Sequence, residues 1–144
     1  MQGQSLNERT RTMYGNSVTI EGNMTKDLVV RVLDSGKVVG SGSIARSGKT
    51  RDGREWGPDY FDFDIWGPQA YNVAASVKKG DRVVIDGSLK FGEWQSNGER
   101  RTKVSINADS VSPSLRWATA ALSKNVPAPA PAEPVEEAFA EELI

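Results

Sequence analysis

The sequence contains no cysteine and no histidine among its 144 residues. Without cysteine the chain can form neither disulfides nor thiolate metal sites, and without histidine it lacks the commonest catalytic acid–base group and zinc ligand. No apolar stretch approaches the roughly 20 residues of a membrane-spanning helix, and residues 1–13 contain no apolar run of a signal peptide. We therefore expect a soluble, cytoplasmic protein that is not an enzyme and that needs no metal or cofactor.

The charge of the chain is unevenly distributed along its length. From Ser123 onward there are one base, Lys124, and five glutamates. Removing these from the chain's 18 bases and 19 acids leaves 17 bases and 14 acids before residue 123, so the body carries +3 and the tail −4. This asymmetry predicts a polyanionic partner for the body and a basic partner for the tail.

The most informative stretch is Asp59–Gly67, which reads as a β-strand. Successive side chains of a strand point to opposite faces, so Phe61, Phe63 and Ile65 share one face. The opposite face then carries two aromatic rings and two carboxylates: Tyr60, Asp62, Asp64 and Trp66. Large rings on a polar, open sheet face are typical of platforms on which unpaired bases stack, at about 1 to 3 kcal/mol per base.

Four further strands and one helix surround this strand in the predicted order. The first strand begins at Asn16 and continues through Leu28 to Leu33, and the second covers 37–46. A short helix of about three turns follows Pro68, and Gly80 ends it. The last two strands, 81–94 and 99–111, form a hairpin closed by Asn97-Gly98. In this hairpin we expect the apolar side chains to point inward, among them Leu89, Phe91 and Val104.

This order predicts an all-β fold, a five-stranded OB-fold barrel with one short helix between strands 3 and 4. We expect a flexible N-terminal arm at 1–15 and the barrel domain at 16–112. Residues 113–122 form a further ordered piece, and 123–144 combine a Pro/Ala linker with a disordered acidic tail.

The predicted site combines stacking rings with cations that neutralise phosphates. Trp66, Trp94, Tyr60 and Trp56 are the candidates for base stacking, and the competing interpretation is packing in a core or subunit interface. The candidate phosphate contacts cluster in the second strand, the loop after it and the last hairpin, because a groove that follows a phosphate backbone needs several cations. They are Arg31, Lys37, Arg46, Lys49, Arg51, Arg54, Lys90, Arg100, Arg101 and Lys103.

Four segments together resemble the bacterial and phage single-stranded DNA-binding proteins. They are VTIEGNMTKD (18–27), DIWG (64–67), KGDRVVIDGSL (79–89) and SPSLRWATA (112–120). The resemblance covers about residues 16–122 and implies an OB-fold, assembled as a homotetramer, that binds single-stranded DNA without sequence preference in replication, recombination and repair. It also implies that 113–122 is an extra C-terminal strand that clamps subunits together, with Trp117 packed against a neighbour. Such a protein works in the cytoplasm beside the nucleoid, or in the host cytoplasm if a phage encodes it.

The acidic tail is the second predicted binding element. Apolar side chains stand among glutamates at its end, a pattern that suits docking into a hydrophobic pocket with a basic rim. The residues concerned are Phe139, Glu141, Glu142, Leu143 and Ile144. We expect this tail to recruit replication and repair proteins.

Other functions compete with this interpretation. An OB-fold RNA-binding chaperone would prefer RNA, and an accessory protein would use the barrel mainly to bind proteins. A nuclease would use Asp62 and Asp64 as a metal pair. For these two carboxylates, pairing with basic side chains on adjacent strands is the favoured interpretation. Members of the similar family tend to carry neutral or basic residues there.

Overall fold

The computed structural model describes residues 15–126. They form six strands and one helix: β1 (Val18–Met24), β2 (Val29–Val32), β3 (Val38–Lys49), β4 (Glu55–Trp66), α1 (Gln69–Ser76), β5 (Arg82–Ser96) and β6 (Glu99–Pro113). Among these residues no helix has the length and apolarity to cross a membrane. Most of the predicted arm and tail lies outside the described residues.

Five of the strands close into a barrel. The sheet order is β1-β5-β6-β4-β3-β2, and β1 also pairs with β3, which closes β1, β5, β6, β4 and β3 into a ring and leaves β2 as an additional strand beside β3. The predicted fold is therefore confirmed. The predicted first strand is divided into β1 and β2, so α1 lies between β4 and β5, which are the third and fourth strands of the predicted count.

The interior of the barrel is filled by the apolar side of each strand. On β4, Phe63 and Ile65 are each 1% exposed, as their alternation predicts. The small residues of β3 make room for them, since a Cβ atom added to Gly42 would lie 2.6 Å from Phe63 Cζ. Glycine at this position therefore permits the close approach of a strand and a large core ring.

The β5–β6 hairpin differs from the prediction in where its apolar side chains lie. Leu89, Phe91 and Val104 were expected inward, yet they are 36%, 71% and 43% exposed. The pairing of β1 with β5 ends at Gly87, and the pairing of β4 with β6 begins only at Ile106. Beyond those points the hairpin is a two-stranded ribbon, and among residues 15–126 no further strand pairs with it. Its apolar side is therefore left open within the described part of the chain.

Helix α1 closes one end of the barrel and is shorter than predicted. It has 8 residues, about two turns, and its buried side chains are Ala70 and Val73. The helix ends where Val77 adopts an extended conformation, with φ −124°. Lys78 then donates a hydrogen bond from Nζ to the carbonyl oxygen of Ala74 at 2.9 Å, as expected for a cation at a helix C-terminus.

A sixth strand is present, but it is β2 and not the C-terminal segment for which the extra strand was predicted. Residues 114–122 contain no strand. Their attachment is local: Ser114 N bonds Arg82 O at 2.9 Å, and Ser114 is buried. A strand needs a partner for its backbone hydrogen bonds, and after Ser114 this segment makes no backbone–backbone hydrogen bond to the rest of the described chain.

Candidate nucleic-acid interface

The outer face of β4 carries two exposed rings. Tyr60 is 67% exposed and Trp66 is 45% exposed. Asp62 and Asp64 lie between them on the same face. The two residues are six positions apart along the strand, which corresponds to roughly 20 Å. The predicted alternation is confirmed, and the rings lie outside the barrel core.

A third exposed ring comes from the β5–β6 ribbon. Trp94 is 46% exposed and lies directly opposite Arg101 in the strand pairing. Lys103 lies opposite Gly92, one step along the same face. Because Gly92 has no side chain, the space between Trp94 and Lys90 on β5 stays open.

The topology brings the two long hairpins to the same end of the barrel. β4 and β6 pair in parallel, with Phe63 opposite Ile106. Each of these strands starts directly after its hairpin turn, so the β3–β4 and β5–β6 hairpins project from one end. The ring of Trp66 marks the other end of the same face.

The two carboxylates of β4 face lysines. Asp62 Oδ2 forms an ion pair with Lys103 Nζ on the adjacent strand β6. Asp64 Oδ2 lies 3.9 Å from Lys90 Nζ, which reaches it from β5 across β6. Pairing with a basic side chain on an adjacent strand is thus confirmed for Asp62, whereas the lysine near Asp64 comes from two strands away.

Lys103 also sets the ionisation of Asp62. The hydrogen bond from Lys103 is the largest effect, and together with the Ser43 hydroxyl and the charge of Lys26 it lowers the pKa of Asp62 despite partial burial. The carboxylate is therefore ionised at neutral pH and remains an acceptor. Lys26, in the turn after β1, was not among the predicted cations, because the sequence does not show that this turn lies beside β4.

Two of the predicted phosphate contacts, Arg31 and Lys37, lie near Trp66. Val39 pairs with Trp66 on one side and with Arg31 on the other, so the three residues form a row across the sheet. Val39 is buried although it lies outside the core cluster. Lys37, Val38 and Trp66 line a shallow recess at the same end.

The β3–β4 hairpin holds Trp56 and four predicted cations. The ring of Trp56 lies over Gly48, where an added Cβ would come within 2.6 Å of Cζ2, and the guanidinium of Arg46 is 4.7 Å from the ring centroid. Trp56 is therefore half-buried and already stacked within the chain. The remaining three cations, Lys49, Arg51 and Arg54, are exposed.

Arg100 is separated from the other cations of the last hairpin. Its Nη2 lies 2.6 Å from Glu93 Oε2, and both residues belong to the ribbon face that carries Phe91. Lys90, Arg101 and Lys103 share the face of Trp94 instead. The structure thus brings three of these four cations together with the rings.

Asp62 and Asp64 are the only two carboxylates that the sequence suggests as a metal pair. Within 15–126 no group of three or more acidic side chains is arranged to hold an ion.

The predicted tail site at 139–144 lies outside the described residues.

Comparison with known proteins places this barrel among close relatives. Residues 15–114 match the model of the Single-strand binding protein family, a stretch that includes all six strands. A single-stranded DNA-binding protein of Paenarthrobacter aurescens is 34% identical over 114 residues, covering 75% of this chain and 67% of the relative. That of Mycolicibacterium smegmatis is 35% identical over 117 residues, covering 75% and 69%. That of Borreliella burgdorferi is 36% identical over 100 residues, covering 67% of each.

Proposed function

The chain belongs to the single-strand binding protein family, and from this premise we propose that it binds single-stranded DNA without requiring a particular sequence. The observation that carries the proposal is the outer sheet face on which three exposed rings, Tyr60, Trp66 and Trp94, stand among cations. Unpaired bases stack on such rings whatever their identity, because every base has a π-face. A base pair buried in a duplex cannot offer that face.

The cations give the phosphate backbone a path along the same face. Arg31 and Lys37 lie at the Trp66 end, while Lys90, Arg101 and Lys103 surround Trp94. The exposed basic side chains of the β3–β4 hairpin extend this path beyond the barrel. They are Lys49, Arg51 and Arg54, and Arg46 lies beside Trp56. We propose these residues as phosphate contacts, with Trp56 as a further ring at the hairpin. Arg100 faces the other way and contributes through long-range charge alone.

Binding of this kind would coat single-stranded DNA and protect it. A strand whose bases rest on protein rings cannot fold into hairpins, and its backbone is less accessible to nucleases. We propose that the protein acts in this way in replication, recombination and repair. The acidic tail would recruit partner proteins, with Phe139, Leu143 and Ile144 entering an apolar pocket and Glu141 and Glu142 facing its basic rim.

Assembly into a homotetramer is part of the proposal. Residues 114–122 end the described fold with Leu115, Trp117 and Leu122 at 66%, 75% and 93% exposure. Large apolar side chains left this open on a single chain are typical of a surface that another subunit covers. We propose that 113–122 pairs with a neighbouring subunit and forms its strand only there.

The direct test is a competition titration of the full-length chain. A labelled DNA oligonucleotide is displaced by unlabelled single-stranded DNA, by RNA of the same sequence or by the duplex. We expect single-stranded DNA to compete best. The logarithm of its association constant should fall linearly with the logarithm of the salt concentration, with a slope of about −0.7 per neutralised phosphate. Stronger competition by RNA would favour the chaperone alternative. Magnesium-dependent cleavage that disappears in Asp62→Asn would favour the nuclease.

A further inference from the structure

We propose that Asp64 contacts the edge of the base that stacks on Trp66 and favours bases that carry an exocyclic amino group. This inference rests on the proposed function, because it needs a base on that ring. The protein would still bind single-stranded DNA of every sequence, and this contact would raise the affinity for the favoured bases several-fold.

The position of Asp64 follows from the alternation of β4. Asp64 and Trp66 are two residues apart on the same face, so their Cβ atoms are separated by roughly 6 to 7 Å. The exposed side of the Trp66 ring accommodates one base, whose edge extends several ångströms beyond the ring centre. The Asp64 side chain is 30% exposed, so a bound ligand can reach part of it.

The orientation of the carboxylate is fixed by its neighbour on β3. Ser41 donates a hydrogen bond from Oγ to Asp64 Oδ1 at 2.9 Å, between paired positions of the two strands. Oδ2 lies 3.9 Å from Lys90 Nζ, which is beyond hydrogen-bond distance. One oxygen is therefore held in place and the other keeps its capacity to accept.

An ionised carboxylate discriminates between bases because it accepts hydrogen bonds and donates none. The amino groups of cytosine, adenine and guanine donate to it, and a carboxylate that accepts from cytosine N4 is a known base contact. Uracil and thymine present the O4 carbonyl where cytosine presents N4, and two oxygens without a proton between them repel. Cytosine and uracil thus differ at the position that Asp64 faces.

Asp62 provides a matched comparison on the same strand. It has the same charge, lies on the same face and neighbours the ring of Tyr60. Its Oδ2 is already bonded to Lys103, so that oxygen is directed at a cation. Removing the charge of Asp62 therefore changes the electrostatic field at this face without removing the free acceptor beside Trp66.

The experiment uses tryptophan fluorescence to measure the affinities of the full-length chain for oligo-dC and oligo-dU of equal length. Mildly alkaline pH keeps cytosine unprotonated. The ratio of the two dissociation constants is compared between each variant and wild type, which cancels the general difference in affinity between the two oligonucleotides. We expect Asp64→Asn and Asp64→Ala to shift this ratio by about three- to tenfold relative to wild type, in favour of oligo-dU, which is the range of one lost hydrogen bond. Asp62→Asn should leave the ratio unchanged.

Two results would overturn the inference while leaving the proposed function intact. One is an unchanged ratio in both Asp64 variants although each still binds tightly. The other is an equal shift in Asp62→Asn, which would mean that charge alone is responsible. Failure of the wild-type chain to bind either oligonucleotide would instead overturn the proposed function itself. Thermal unfolding of each variant establishes that the barrel is intact.

Discussion

Lys103 on β6 and Asp62 on β4 form an ion pair across the outer face of the barrel. A cation on the proposed phosphate path is therefore already paired within the chain, and a phosphate must share it with the carboxylate or displace that carboxylate. We therefore expect the acidic residues of β4 to reduce the affinity of the proposed interface for nucleic acid.

Replacing Asp62 by Asn should therefore tighten the binding of single-stranded DNA. The change releases Lys103 and removes a negative charge close to the phosphates, and exposed ion pairs of this kind are worth about 0.2 to 1 kcal/mol. We expect the dissociation constant to fall by about two- to fivefold, as measured by fluorescence titration at low salt. Glu93→Gln is the matched control, because it frees Arg100 on the opposite face of the ribbon. Weaker binding by Asp62→Asn would show that the pair assists DNA binding.

The same pair predicts a pH dependence of folding stability. Lys103 lowers the pKa of Asp62 below its ordinary value of 3.8, so the folded chain binds this proton less readily than the unfolded chain. The stabilisation is fully present above the unfolded pKa and is lost as the pH falls through the folded pKa. The difference in unfolding free energy between wild type and Asp62→Asn should therefore shrink as the pH falls from about 5 to about 2. A difference that stays constant over this range would contradict the linkage.

Gly42→Ala should destabilise the barrel. Its new methyl group would lie 2.6 Å from Phe63 Cζ and 3.0 Å from Leu28 Cδ1, both in the buried core. Overpacking of this kind typically costs about 1 to 3 kcal/mol, measurable by denaturant unfolding. Gly92→Ala is the control on another strand, because its methyl group would meet only Lys103 O at 4.0 Å. Equal unfolding free energies for the two variants would contradict the close fit of β3 against Phe63.

Trp117→Ala should weaken the proposed assembly without unfolding the subunit. The ring is 75% exposed and contacts the guanidinium groups of Arg82 and Arg116 at 5.0 and 5.9 Å. Light scattering should give four times the subunit mass of 15.6 kDa for wild type and a smaller mass for the variant. Phe91→Ala removes an equally open ring elsewhere and should keep the wild-type mass. An unchanged mass for Trp117→Ala would count against the clamp.

The sequence predicted the barrel well because its strands alternate clearly. On β4, a strict period of two separates Phe63 and Ile65 from Tyr60 and Trp66, and the structure keeps that separation. The same rule failed for Phe91, because alternation shows which side chains share a face but not where a strand leaves the barrel. That limit depends on the ends of the β1–β5 and β4–β6 pairings, which are contacts between distant parts of the chain.

The partners of the site residues were harder to predict than the residues themselves. The two rings of β4 and the cations of the last hairpin are visible in the sequence. The alternation of β6 also shows that Arg100 shares a face with Val104 and not with Arg101, and the structure keeps that separation. The contact of Ser41 with Asp64 depends on the register between β3 and β4. Register is set by packing over the whole sheet and cannot be read from either strand alone.

The central claim is that bases rest on the exposed rings of the sheet, and the most direct measurement is a titration of the Trp66→Ala/Trp94→Ala double variant with single-stranded DNA. The account predicts that wild-type tryptophan fluorescence is quenched on binding and that the double variant loses about 2 to 6 kcal/mol of binding free energy. The double Phe variant should retain part of the affinity, because a phenyl ring still stacks. Unchanged affinity of the double Ala variant would contradict the account.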